Sequence, residues 1–122
     1  MRKPKLNPER EQRILMDIVV DAYDETERAM GWYCYLEEEL GTEFEAHVSS
    51  EYPTSPLKIG ETVRVLGMAP DDICQSDMFV WIRWSDRKLA VPLSQLTPLV
   101  DDNSVVCAVA DWHYWLARGY EF

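Results

Sequence analysis

The chain has 122 residues, enough for one domain that buries a core without disulfides or a structural metal. Its apolar content of 47% excludes a disordered acidic tail, and a net charge of −10 argues against direct binding to nucleic acid, whose phosphates it would repel. No apolar run approaches the roughly 18 residues of a membrane span, and no apolar signal core follows the basic start, so a cytosolic protein is expected.

Asn7-Pro8 opens the first helix, since Asn is a favoured N-cap and Pro fits the first helical position. Ile14, Leu15, Ile18, Val19 and Ala22 follow as one apolar stripe, and Ala29, Trp32, Tyr33, Leu36 and Leu40 as a second. Gly41 is a natural stop. Asp24-Glu25-Thr26-Glu27 has the pattern of a capping box, which leaves one bent helix and two separate helices both open.

From Thr42 the period changes to two. Phe44, Ala46 and Val48 alternate with polar residues as a half-buried strand. Further strands are expected over Glu61–Leu66, Met78–Trp84 and Lys88–Val91, with Pro92 ending the pairing. Leu93–Leu96 suits a short helical turn before Thr97–Leu99. A last helix starts near Asp101–Ser104 and runs to Arg118-Gly119, burying Val105, Ala108, Val109, Trp112, Trp115 and Leu116. The expected fold is α+β over residues 1–122: an N-terminal helix or kinked helix pair, a small curled antiparallel SH3-like sheet, and a C-terminal helix.

The charge is not spread evenly. Between Asp17 and Glu51 eleven acids stand against one base, Arg28, so this stretch alone holds −10. Such self-repulsion invites a neutralising partner, and a hard divalent cation needs several oxygens from one patch. Asp17, Asp21 and Asp24 stand at i, i+4 and i+7, one face of a helix if that helix is continuous, with Glu25 beside Asp21. Three carboxylates cannot complete a calcium shell of about 6–8 oxygens. The rest can come from the loop carrying Asp71, Asp72 and Asp77, with carbonyls from Gly67 to Pro70, if it folds over the first helix. Against this, helix charge often means only a solvated face, and Asp71-Asp72 after Pro70 suits a plain turn. Glu37, Glu38 and Glu39 crowd the end of a helix where the dipole disfavours them, as a weaker cation site or as solvated surface.

Other chemistries fit poorly. Asp101-Asp102-Asn103 lacks the spacing of an EF-hand and suits helix capping. His47 and His113 stand at no zinc spacing, and Asp111 and His113 point apart on a helix. Cys34, Cys74 and Cys107 form no redox or zinc pattern and suit a reducing compartment. Catalysis is not expected, although a hydrolase with paired carboxylates would require one of them to titrate unusually high.

Asp21–Leu36, Gly67–Cys74, Met78–Trp84, Leu89–Leu96, Asp111–Trp115 and Gly119–Phe122 together resemble the small cyanobacterial-type calcium-binding proteins of the CcbP-like family. The resemblance spans nearly the whole chain and implies a compact α/β protein that binds calcium without EF-hands. Asp21, Asp24 and Glu25 in the first stretch, Asp72 and Asp77 around the loop, and Glu38 fall on its matching positions. Ser85-Asp86-Arg87 departs from it in lacking a glycine. The expectation is a monomeric intracellular calcium buffer or sensor, with calcium ions as partner, no nucleic acid or membrane, and no identified protein partner. An acidic interaction module, its sheet docking a basic partner, is the alternative.

Overall fold

The computed structural model describes residues 5–20, 22–41 and 43–120. Helix α1 spans Pro8–Arg13, a π-helical turn follows over Ile14–Ile18, and α2 spans Glu25–Leu40. Asn7 caps α1 by accepting the Arg10 N–H at 3.1 Å, and Asp24 caps α2 by accepting the Glu27 N–H at 2.8 Å. Both caps satisfy backbone donors that the first helical turn leaves unpaired. The N-terminal region is therefore two helical segments. The strict helical stripe fails with it: Ile14 and Ile18 are buried, whereas Leu15 is 59% exposed. The π turn, closed by Val19 N–H to the Ile14 carbonyl at 2.9 Å, shifts the phase so that Leu15 turns to solvent.

Gly31 explains why this turn lies so close to α2. A Cβ at that position would overlap the Ile18 carbonyl oxygen and stand 3.9 Å from the Val19 Cα. Only a residue without a side chain lets the two backbones meet there.

The strands are β1 Phe44–Val48, β2 Thr62–Met68, β3 Phe79–Trp84, β4 Arg87–Pro92 and β5 Leu96–Pro98. They form one antiparallel sheet in the order β4-β3-β2-β1-β5. Pro92 is the last residue of β4 and stands opposite Phe79, inside the pairing. The turn between β3 and β4 uses Ser85 at φ 56° where glycine is usual. A 3₁₀ turn over Leu93–Gln95 leads into β5, and α3 spans Asn103–Ala117, capped by Asp102.

The core lies between one sheet face and the helices. Val63, Val65, Val80, Ile82 and Val91 face it from the sheet, and Trp32, Leu36, Val109, Trp112 and Trp115 from α2 and α3. Trp32 joins the two helices through an edge contact to Trp112 and a tilted contact to Trp115, at centroid separations of 5.0 and 5.5 Å. No helix among the described residues is long and apolar enough to cross a membrane.

His113, half-buried on α3, has its Nε2 3.4 Å from the Leu93 carbonyl oxygen. Burial lowers its pKa below the usual histidine range, outweighing its backbone hydrogen bonds. The fold thus favours the neutral ring, so this contribution is present above the ordinary histidine pKa of about 6.5 and is lost as pH falls below it. Urea midpoints measured between about pH 7 and 5 are expected to fall less steeply for His113→Gln than for the wild type. Equal slopes would remove His113 as a source of acid sensitivity.

Candidate metal centre

The loop after β2 is built to lie on α2. Pro70 leaves the strand, and Asp71–Ile73 form a 3₁₀ turn closed by Ile73 N–H to the Pro70 carbonyl and Cys74 N–H to the Asp71 carbonyl, both 3.1 Å. Cys74 is buried beneath the turn, where its Sγ accepts the Phe79 N–H at 3.4 Å. The Tyr33 hydroxyl of α2 donates to the Ala69 carbonyl at 2.7 Å. Burial, aided by Glu37, pushes the Tyr33 pKa up to about 12, so this tie keeps its proton at neutral pH.

That tie brings two of the expected carboxylate groups to neighbouring clefts. Asp71 and Asp72 line a small cleft of about 150 Å³ with Thr26, Met30 and Gln75. Glu25 lines the next, about 340 Å³, with Gln75 and Ser76 on one side and Trp115 and Tyr120 on the other. Gln75 belongs to both. Asp24, Glu25, Asp71 and Asp72 are all exposed.

Other expected residues fall elsewhere. Asp21 lies outside the described residues. With the helix broken before Glu25, Asp17 is not on one helical face with Asp24; it opens instead onto a cleft of about 400 Å³ with Glu38, Glu39, Arg13 and Ser104. Asp77 is half-buried, its carboxylate accepts the Met78 N–H at 2.8 Å, and burial raises its pKa. The Ala69 and Pro70 carbonyls, expected as cation donors, already accept hydrogen bonds from Tyr33 and Ile73. Among the described residues no three His, Cys, Asp or Glu side chains converge as a ready-made metal site.

The most heavily bonded carboxylate is one that spacing did not single out. Asp111 of α3 has no exposed surface. Its Oδ1 accepts from Arg10 Nη1 at 2.6 Å and Arg13 Nη2 at 2.7 Å, its Oδ2 from Arg13 Nε at 2.9 Å and the Tyr35 hydroxyl at 2.7 Å. The hydrogen bond to Asp111 raises the Arg13 pKa, and burial followed by the same carboxylate raises that of Tyr35. Glu11 accepts from Tyr114 at 2.6 Å and Tyr120 at 2.8 Å. Helix α1 buries no residue of its own, so these polar bonds fasten it to α3. The signal was present in the sequence: Asp111 stands three residues after Ala108 and four before Trp115, inside the apolar stripe.

The fold and its clefts define an acidic α+β domain that offers carboxylate and amide oxygens at a junction of helix and loop, the donors that hard cations prefer. Residues 12–116 match the CcbP calcium-binding family, and the chain belongs to it. A crystal structure of CcbP from Anabaena is 41% identical, with a TM-score of 0.88 over 100% of both chains. A calcium-binding protein in its calcium-binding form is 42% identical, with a TM-score of 0.84 over 95% of each chain. No curated protein shows a significant match.

Proposed function

We propose that this chain binds calcium and acts as a monomeric, cytoplasmic calcium buffer, with Glu25 and Asp72 as the principal described ligands. Asp24 extends the site from the α2 side, Asp77 supports the loop that carries Asp72, and Asp21, outside the described residues, is proposed as a further ligand from its place in the sequence. Glu38, beside Asp17 and Glu39, marks a second, weaker cation position. The observation that supports this reading is that the 71–77 loop and the start of α2 line two neighbouring clefts sharing Gln75, one with Asp71, Asp72 and Thr26, the other with Glu25 and Ser76. Exposed carboxylates at such a junction can close on a cation by rotamer changes, with waters filling a shell of about 6–8 oxygens. A site shared between a helix and a loop does not enforce the tight octahedron of magnesium, so calcium is preferred. Family membership supports the choice of ion.

Calcium at 100 times its dissociation constant is expected to raise the unfolding free energy by about 2.7 kcal/mol. The measurement is urea denaturation with calcium and with chelator. Glu25→Gln combined with Asp72→Asn should remove most of the gain and leave the calcium-free midpoint near that of the wild type. A full calcium response in this double variant would overturn the ligand assignment.

A further inference from the structure

Calcium binding does not account for the apolar surface beside these acids. Leu15 and Met16 on the π turn are 59% and 62% exposed, Val20 and Tyr23 in the following link 49% and 82%, and Met30 on α2 44%. Solvated carboxylates need no such neighbours, and exposed apolar side chains gathered in one region commonly mark an interaction surface. The region is held together by the Gly31 contact: the backbone beside Met30 meets the Ile18 carbonyl and the Val19 Cα. The surface therefore bridges two elements that are locked to one another. Among the described residues here the exposed charges, Asp17, Asp24, Glu25 and Glu27, are negative, and the cations Arg13 and Arg28 are partly buried.

We infer that the junction of the π turn and α2 docks a basic amphipathic segment of a protein partner. Leu15, Met16, Val20, Tyr23 and Met30 contact the apolar face of that segment, and the surrounding carboxylates face its lysines and arginines. Methionine suits this role because its flexible side chain adapts to different apolar shapes. A tyrosine exposed as fully as Tyr23 supplies a large contact of low entropic cost. An anionic lipid surface is disfavoured by the same carboxylates, and a second copy would bring like charges together.

The docking stands without calcium, but its regulation rests on the calcium reading above. Glu25 serves both, so calcium is expected to compete with the segment. The probe is a fluorescently labelled 14-residue peptide of leucine and lysine at helical amphipathic spacing, with a scrambled peptide of the same composition as control. Anisotropy in chelator should show the amphipathic peptide binding more tightly than the scrambled one. Met16→Ser with Tyr23→Ser should weaken binding at least roughly tenfold, a scale set by the loss of two apolar anchors. Ile59→Ser with Leu99→Ser, exposed apolar residues elsewhere, should not. Equal binding of the two peptides, or equal loss in both variant pairs, would overturn the proposal. So would Met16-dependent dimerisation in sedimentation, or Met16-dependent binding to phosphatidylserine vesicles in chelator. Peptide binding that ignores calcium would refute the competition alone and leave the docking surface standing.

Discussion

Asp111→Ala is expected to remove about 3–5 kcal/mol of folding stability, because it takes the shared partner from two arginines and a tyrosine. The carboxylate is fully buried and accepts four short hydrogen bonds. Once it is gone, Arg10 and Arg13 keep their charge but lose their partner in a partly buried place. The loss should exceed that of Tyr35→Phe, which removes one hydrogen bond to a charged group, worth about 1.5–3 kcal/mol. Chemical denaturation of both variants tests the order. Helix α1, with no buried residue to hold it, should also lose amide-exchange protection in Asp111→Ala before the sheet does. A loss below about 1 kcal/mol would mean that the network is solvated and contributes as a surface pair does.

Gly31→Ala separates two opposing effects by sign. Alanine in a helix interior is favoured over glycine by about 0.8–1.0 kcal/mol, so on helix propensity alone the variant would gain stability. The added Cβ, however, would overlap the Ile18 carbonyl oxygen, which is backbone and cannot turn away as a flexible side chain would. Overpacking of this kind costs about 1–3 kcal/mol, and against backbone the upper part of that range is expected. The net result predicted is destabilisation, with the π turn displaced from α2 and Leu15, Met16 and Asp17 moved with it. Denaturation midpoints and amide exchange over residues 14–20 report both effects. A gain near 1 kcal/mol would show that the junction yields at no cost.

The sheet was legible because strands with one buried face write their period directly: Phe44, Ala46 and Val48 alternate in the sequence and in burial alike. The caps were legible for a similar reason, since Asn7, Asp24 and Asp102 are residue types whose side chains satisfy local backbone donors. Between Ile14 and Asp24 the same reasoning left one helix or two. Asp24 marks the second start locally, whereas the close approach of Gly31 to Ile18, which no local periodicity encodes, sets the π turn against α2. The loop over α2 was anticipated from charge, and its cause, the Tyr33–Ala69 hydrogen bond and the buried Cys74, was not. The nearest titratable neighbour of Asp111 in sequence points elsewhere, whereas its partners are Arg10 and Arg13 on α1, about a hundred residues away, and Tyr35 on α2. Spacing finds groups on one element. It does not find groups that two elements bring together.

The chain belongs to a calcium-binding family, and the acids that line its clefts at the start of α2 are separate from those near the start of α3. Glu25 and Asp72 line neighbouring clefts at the start of α2, which share Gln75, while Asp17, Glu38 and Glu39 line one cleft near the start of α3. The first region also has amide and hydroxyl oxygens from Gln75 and Ser76, whereas the second includes the Arg13 guanidinium. A fixed cation at the wall weakens a site for a second cation, so the first region should bind more tightly.

Titration calorimetry with calcium tests this most directly, on the wild type, on Glu25→Gln with Asp72→Asn, and on Glu38→Gln. The tighter binding event should weaken at least roughly tenfold in the double variant, as loss of two charged ligands implies, and persist in Glu38→Gln. If instead Glu38→Gln removes the tighter event and the double variant retains it, the principal site lies in the Asp17–Glu38 cleft and the account given for Glu25 and Asp72 is wrong.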